Sequence, residues 1–325
     1  MRRHPTAVAA AALIALGLAV AGCSPAPDRS PNGTGPTTAA PTGTAGPATP
    51  STGPATPPAG RAPAERFDTA TRQLEFTRGE NRPLDVTVWY PVGVGGDVAR
   101  GRFPVVLFSH GLGGRPADYR TLLSGWAAAG FVVAAPSYPH TSRGVADFQL
   151  LDVINQPADA SHVLTGLLAL DDRAGDPFQG HLDPERVAAA GHSAGGVTTI
   201  GLFTAGRDDR LDAGIVLAGS ALGVGTAFSG ASAPQLFIHG ELDEVVSYQS
   251  GLAAYDRVPW PKAMLSLPDG DHGGSLSRSG DPALRVVAET TVEFLRWSLY
   301  GDPAAKGRLP AAAARGGLAT LDDNL

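Results

Sequence analysis

The residues of this chain most able to do covalent chemistry are grouped in Gly191-His192-Ser193-Ala194-Gly195-Gly196, directly after the apolar run Val187-Ala188-Ala189-Ala190. The run reads as a short buried strand, the Gly-x-Ser-x-Gly segment as a sharp turn, and the residues after it as the start of a helix. Such a turn holds its serine in a strained backbone conformation, so that the hydroxyl of Ser193 stands clear of the sheet as a nucleophile. The same pattern also fits a plain small-residue turn in a chain with 42 glycines, so the reading depends on finding partners for the serine.

A serine hydroxyl is a weak nucleophile and needs a histidine to take its proton and a carboxylate to orient that histidine. Around an elbow of this kind the order along the chain is serine, acid, histidine. Downstream of Ser193 the histidines are His239 and His272. His239 ends an apolar run just before Gly240. His272 lies in Pro268-Asp269-Gly270-Asp271-His272-Gly273-Gly274, a turn between a strand and the last helix, and is assigned as the base. The acid is sought in His239-Gly240-Glu241-Leu242-Asp243-Glu244-Val245-Val246. Asp243 is assigned, its carboxylate turned inward with Val245 and Val246 packed below. Glu241 is the second candidate, although Glu241 and Glu244 both read as solvated. No acidic residue lies between Asp212 and Glu241, so the acid cannot follow the preceding strand. Asp271 is discounted because adjacent side chains in a turn diverge.

A developing oxyanion needs two backbone N–H donors. Ala194, at the start of the helix, is assigned as one. Leu112, in the glycine-rich loop Ser109-His110-Gly111-Leu112-Gly113-Gly114, is assigned as the other. His110 reads as a residue that fixes this loop and His192 as a packing residue inside the elbow. The loop Ser137 to Asn155 is a candidate wall for a substrate cleft, with Tyr138, Phe148 and Leu151 as contacts. Asp171, Asp172, Asp176 and Asp183 lack the spacing of a calcium loop and read as a solvated turn, so no metal and no cofactor is expected.

These groups must be carried by elements that alternate strand and helix. Strands are read at Gln73–Phe76, Leu84–Tyr90, Pro104–Phe108, Phe131–Ala135, the Val187 run, Gly214–Leu217, Gln235–Ile238 and Ala263–Leu267. Helices are read at Ala117–Ala129, Pro157–Leu170, after Ser193, at Ser247–Tyr255 and at Pro282–Leu299. Buried strands alternating with helices imply a mostly parallel sheet covered on both faces, of α/β class. Ser109-His110-Gly111, Ser193 and Asp243 each follow a strand, which places them at the carboxyl edge where such sheets bind ligands. The connection Gly219 to Pro234 is too short for a large cap, so an open site is expected.

The front of the chain is of a different kind. Arg2 and Arg3 precede an apolar run from Ala7 to Ala21, an export signal rather than a membrane span. The run ends Val20-Ala21-Gly22-Cys23, which resembles the lipobox of bacterial lipoproteins. That resemblance implies cleavage after residue 22, lipidation of Cys23 and a protein held outside the cytoplasm on the cell membrane, or secreted if the lipobox is not used. Cys23 is the single cysteine, so the body holds no disulfide and no cysteine nucleophile. Residues 23–63 are rich in Pro, Thr, Gly, Ala and Ser and read as a disordered tether. Residues 64–302 form one domain, and residues 303–325 read as a poorly ordered tail. The net charge of −6 and the absence of a basic patch exclude a nucleic-acid partner.

Phe103-Pro104-Val105-Val106-Leu107-Phe108-Ser109-His110-Gly111, Gly130-Phe131-Val132-Val133-Ala134-Ala135-Pro136 and Gly191-His192-Ser193-Ala194-Gly195-Gly196 resemble the α/β-hydrolases, specifically the platelet-activating-factor acetylhydrolase, chlorophyllase and polyester-hydrolase branch. The resemblance runs from about Leu84 to Trp297 and implies a serine carboxylesterase with Ser193, Asp243 and His272 as its triad. Polyester hydrolases of this kind often carry a tryptophan where this chain has Ala218-Gly219-Ser220-Ala221-Leu222-Gly223, and they usually have a C-terminal disulfide; both differences argue against that substrate. Dienelactone hydrolases share the fold but use a cysteine nucleophile. The sequence thus points to an anchored, monomeric ester hydrolase acting on a small-molecule or lipid ester. Peptidase or amidase action on the same triad and a non-catalytic binding lipoprotein are the alternatives.

Overall fold

The computed structural model describes residues 61–277 and 280–325. The leader, Cys23 and the tether up to residue 60 lie outside the described residues. The body is built on a nine-stranded sheet. β1 (Asp68–Arg78) and β2 (Arg82–Val92) form an antiparallel hairpin, and β2 pairs antiparallel with β4 (Val132–Ser137). From β4 the sheet runs parallel through β3 (Phe103–Ser109), β5 (Leu182–His192), β6 (Ala213–Leu217), β7 (Gln235–Gly240) and β8 (Lys262–Leu267). The inversion of β3 and β4 in the strand order makes the elbow strand β5 a neighbour of β3, so Ser109 pairs with Gly191.

The inner strands β3, β4, β6, β7 and β8 are largely apolar on both faces because both faces are covered. Successive side chains alternate between two layers. Val106, Phe108, Val133, Ala188 and Ile215 pack under α1 (Arg120–Ala128) and the long α6 (Pro282–Tyr300), against Trp126, Val287 and Phe294. Val105, Leu107, Val132, Val187 and Ala189 face α2 (Gln156–Leu168) through Val163, Leu164 and Leu167. Val216, Phe237 and Met264 extend that second layer toward α3 (Ala194–Gly201) and α4 (Tyr248–Tyr255). A single helical turn, α5 (Gly274–Ser277), leads into α6, whose ends carry their own signals. The Asp281 side chain accepts from Ala283 N, Pro282 takes the first turn, and Gly301 closes the helix at φ 67°. No helix or strand interrupts the run between β6 and β7.

Three expectations are corrected here. Residues 303–325 are built into the fold: α7 (Pro303–Ala313) packs on α6, and β9 (Thr320–Asn324) pairs antiparallel with β8 from Lys262 to Ser266. The reason is tertiary, since α6 and β8 each present a surface that needs cover. Leu309 is fully buried, and Asp302 caps α7 by accepting from Ala304 N at 3.0 Å. At the other end the body begins before residue 64, with Ala62 buried in the core. The acidic loop is likewise not a solvated turn. Asp171 pairs with Arg102 at 2.5 Å, Asp176 with Arg72 at 2.7 Å, and Asp183 with Arg186. Desolvated carboxylates demand such partners; Asp172 alone of the four is exposed.

A chain ending at Gly301 should lose about 3 kcal/mol of stability, because removing Leu309 and its alanine neighbours uncovers α6. It should also self-associate through the bared edge of β8. Thermal unfolding and light scattering check this, and an unchanged midpoint with a monodisperse monomer would contradict it.

Candidate active site

The turn after β5 is as tight as a backbone crossing can be. A Cβ on Gly195 would lie 1.9 Å from Ser109 O, and one on Gly191 would lie 2.1 Å from Gly195 O. Only glycine permits this approach. The crossing forces Ser193 to φ 57° and ψ −118°, a left-handed conformation disfavoured for a side-chain-bearing residue. The strain is held by Ser193 N donating to Leu217 O at 2.9 Å and by the helix that starts at Ala194.

The structure brings Ser193, His272 and Asp243 into one hydrogen-bonded chain. His272 Nε2 is 2.8 Å from Ser193 Oγ, and His272 Nδ1 is 2.7 Å from Asp243 Oδ2. A carboxylate only accepts, so Nδ1 carries the proton and Nε2 is left as the acceptor for the serine hydroxyl. Asp243 is held by backbone rather than by valine side chains: its Oδ1 accepts from Val245 N and Val246 N, both at 2.8 Å, while Val245 is exposed. The expected packing of Val245 below the acid is therefore wrong, because the loop turns its amides inward. Burial alone would raise the Asp243 pKa, but the hydrogen bonds from His239, His272 and Val246 N outweigh it and hold the group well below the usual carboxylate range. Glu241 and Glu244 are exposed, and Asp271 Oδ1 accepts from Gly273 N and Gly274 N within its own turn.

The second buried partner of Asp243 was not read from the sequence. His239 Nε2 lies 2.8 Å from Val246 O and 3.2 Å from Asp243 Oδ2, so its N–H donates chiefly to the carbonyl and leans on the carboxylate. The signal was the i, i+4 spacing of His239 and Asp243 across a turn.

Ser193 and His272 open on a cavity of about 380 Å³ lined with Gly111, Leu112, Gly113 and Gly114. In that loop the amide donors are nearly all engaged. Gly111 N donates to Tyr119 Oη at 3.1 Å, Gly113 N to Thr141 O at 2.8 Å and Gly114 N to Gly111 O at 2.8 Å. Among the described residues the amide of Leu112 has no acceptor. Ala194 N is an N-terminal helix donor, which has no intrahelical partner. The glycine loop is splinted from outside, because Arg143 N donates to Gly114 O and Arg115 Nε to Arg143 O. His110 fixes it from below: Nδ1–H donates to Gly111 O at 2.8 Å, and Nε2 accepts from Ser142 Oγ at 2.9 Å.

The loop Ser137 to Asn155 does not wall the cavity with the expected side chains. Tyr138 is fully buried, its hydroxyl 2.7 Å from Ser109 Oγ. Phe148 and Leu151 are exposed but do not line the cavity; Arg143 does, paired with Asp118 at 2.5 Å.

His192 does more than pack. Its Nδ1 accepts from Tyr119 Oη at 2.8 Å, and its Nε2–H donates to His272 O at 2.7 Å. Burial, and then the neighbouring His272, push its pKa down to about 4. Between pH 4 and 6.5 the unfolded chain binds a proton at this position that the native state refuses, so native stability falls as the solution is acidified through that window. The stabilisation is complete above pH 6.5 and amounts to on the order of 3 kcal/mol. His192→Gln should therefore show a shallower loss of thermal midpoint between pH 7 and 4.5 than the wild type. Parallel melting curves over that range would contradict this.

The Chlorophyllase family pattern matches residues 66–227 of the chain. The uncharacterised protein YfhR of Escherichia coli strain K12 is 29% identical over a region covering 35% of this chain and 46% of its own length. The chain thus spans about half the length of that curated relative. The mostly parallel sheet, the strained serine after its fifth strand and the Chlorophyllase match together give this chain the α/β-hydrolase fold, and the match suggests an ester hydrolase.

Proposed function

We propose that this protein is a serine hydrolase of carboxylic esters that works through an acyl-enzyme. The observation that carries the reading is the continuous chain Ser193 Oγ, His272, Asp243, with separations of 2.8 and 2.7 Å, at a strained serine facing an open cavity. His272 Nε2 takes the proton of Ser193 as Oγ attacks the ester carbonyl. The tetrahedral oxyanion rests on the amides of Leu112 and Ala194. The C–O bond to the alcohol then breaks, and His272 returns the proton to that leaving oxygen. Water, deprotonated by His272, attacks the acyl-serine; the bond from the acyl carbon to Ser193 Oγ breaks, His272 returns the proton to Oγ, and the acid is released. Asp243 stays ionised throughout and stabilises the imidazolium. The Chlorophyllase match favours an ester over an amide substrate. Among the described residues no cap is inserted between β6 and β7, and this together with the open cavity suits a small-molecule or lipid ester.

We also propose that Cys23 carries a lipid and that residues 24–60 tether the body to the outer side of a membrane, as a monomer. Among the described residues no helix is long and apolar enough to cross a membrane, so attachment of this kind would rest on the leader and Cys23.

The purified protein should hydrolyse short-chain nitrophenyl esters, and Ser193→Ala should lower kcat by roughly 10⁵-fold or more. Asp243→Asn should cost about 10⁴-fold, because the imidazole loses its orienting acceptor. Equal rates for wild type and Ser193→Ala sink the assignment. In cells, Cys23→Ser should move the protein from the membrane fraction to the soluble one; retention at the membrane would remove the anchor.

A further inference from the structure

Three segments that are distant in sequence meet at the side chain of His192. The hydrogen-bond directions around it are forced. Gly111 N–H can only donate, so Tyr119 Oη accepts from it at 3.1 Å and passes its own proton toward His192 Nδ1 at 2.8 Å. Nε2 then carries the imidazole proton and donates to the carbonyl of His272 at 2.7 Å. Both linking side chains are buried: Tyr119 is 5% exposed and His192 7%. The ring of His192 packs against that of His272 at a tilt of 43°, centroids 4.9 Å apart, and Tyr119 packs 4.8 Å from Phe108. Space around the ring is closed on both sides, since a Cβ on Gly111 would lie 3.1 Å from His192 Nδ1 and one on Gly273 would lie 3.3 Å from His192 Cε1.

We infer that Tyr119 and His192 are positioning residues, a single hydrogen-bonded strut that sets the distance between the glycine loop presenting the Leu112 amide and the loop presenting His272. The inference rests on the ester-hydrolase reading and goes beyond it: both side chains border the cavity, but neither is a hydrogen-bond partner of Ser193 Oγ, which pairs with His272 Nε2. One end of the strut is the backbone of Gly111, next to Leu112; the other is the backbone of His272 itself. The oxyanion donor and the proton-transfer base are thus coupled through the residue that precedes the nucleophile. A strut of this kind acts on the transition state and not on substrate docking, since its two ends set where charge is stabilised and where the proton goes.

The test uses the whole protein with a short nitrophenyl ester and a fluorophosphonate probe. Tyr119→Phe removes one hydroxyl at constant shape. It should lower kcat about tenfold, the equivalent of one lost hydrogen bond, with KM within about twofold and the rate of fluorophosphonate labelling reduced in step. His192→Phe should do the same or more. His192→Gln can accept from Tyr119 and donate to His272 O, and should recover most of the rate. The double variant Tyr119→Phe/His192→Phe should be no slower than the worse single variant, because both break one strut. If His192→Phe does not fold, Tyr119→Phe decides the matter alone. Wild-type kcat in Tyr119→Phe, a loss confined to KM, or multiplicative losses in the double variant overturn the strut while leaving the hydrolase reading intact. Failure of the wild type to react with the fluorophosphonate overturns the hydrolase reading itself, and the strut with it.

Discussion

The constraint on which the rest of this molecule depends is the close crossing of the turn after β5 over the end of β3. With the Ser109 carbonyl 1.9 Å from any Cβ at residue 195, the chain can pass only as glycine, and the serine two residues earlier is left at φ 57°. That strain is of the kind that costs about 1–3 kcal/mol and persists only where the surroundings enforce it. Here the enforcement comes from a sheet buried on both faces, with Val106 and Phe108 packed into one layer and Val105 and Leu107 into the other. The sheet does not merely support the site: its packing holds the serine where its hydroxyl points away from the strands.

Around that point the site is assembled mostly from backbone. Two amides hold Asp243, those of Gly111, Gly113 and Gly114 fix the glycine loop, and the Leu112 amide proposed as an oxyanion donor is the one left over there. Backbone donors carried by a rigid sheet edge need no reorganisation as charge develops, and this is what makes preorganised dipoles effective. The side chains that assist, His110, His192, His239 and Tyr119, are buried and hydrogen-bonded at both ends or wedged against a ring. Their contribution is rigidity, and for His192 the refusal of a proton keeps its hydrogen-bond directions fixed.

The C-terminal segment shows how the same body is closed. β8 carries Ser266 and Leu267 just before the turn that holds His272, and β9 covers its outer edge. Pairing that edge prevents it from templating another chain and stiffens the strand that leads into the His272 turn. A segment remote from the chemistry thereby supports the position of the histidine.

What the sequence determined by itself was the local and periodic part. The alternation of apolar runs with helical segments specified an α/β sheet with its ligand edge. Gly191-x-Ser193-x-Gly195 marked the crossing because only those residue types survive it, and the chain order after it led to Asp243 and His272. Tertiary structure decided what had no periodic or compositional signature. Thr320–Asn324 has one substantial apolar residue, Leu321, and becomes a strand because β8 has an unpaired edge beside it. Helix α7 is poor in large apolar residues and contains Pro310, yet Asp302-Pro303 was a readable start signal that its composition obscured. The acidic loop found arginines from two other segments, Arg72 and Arg102, and Tyr119 found His192 from 73 residues away. Hydrogen bonds and ion pairs of that range depend on where the packed layers bring the chain, and no spacing along the sequence encodes them.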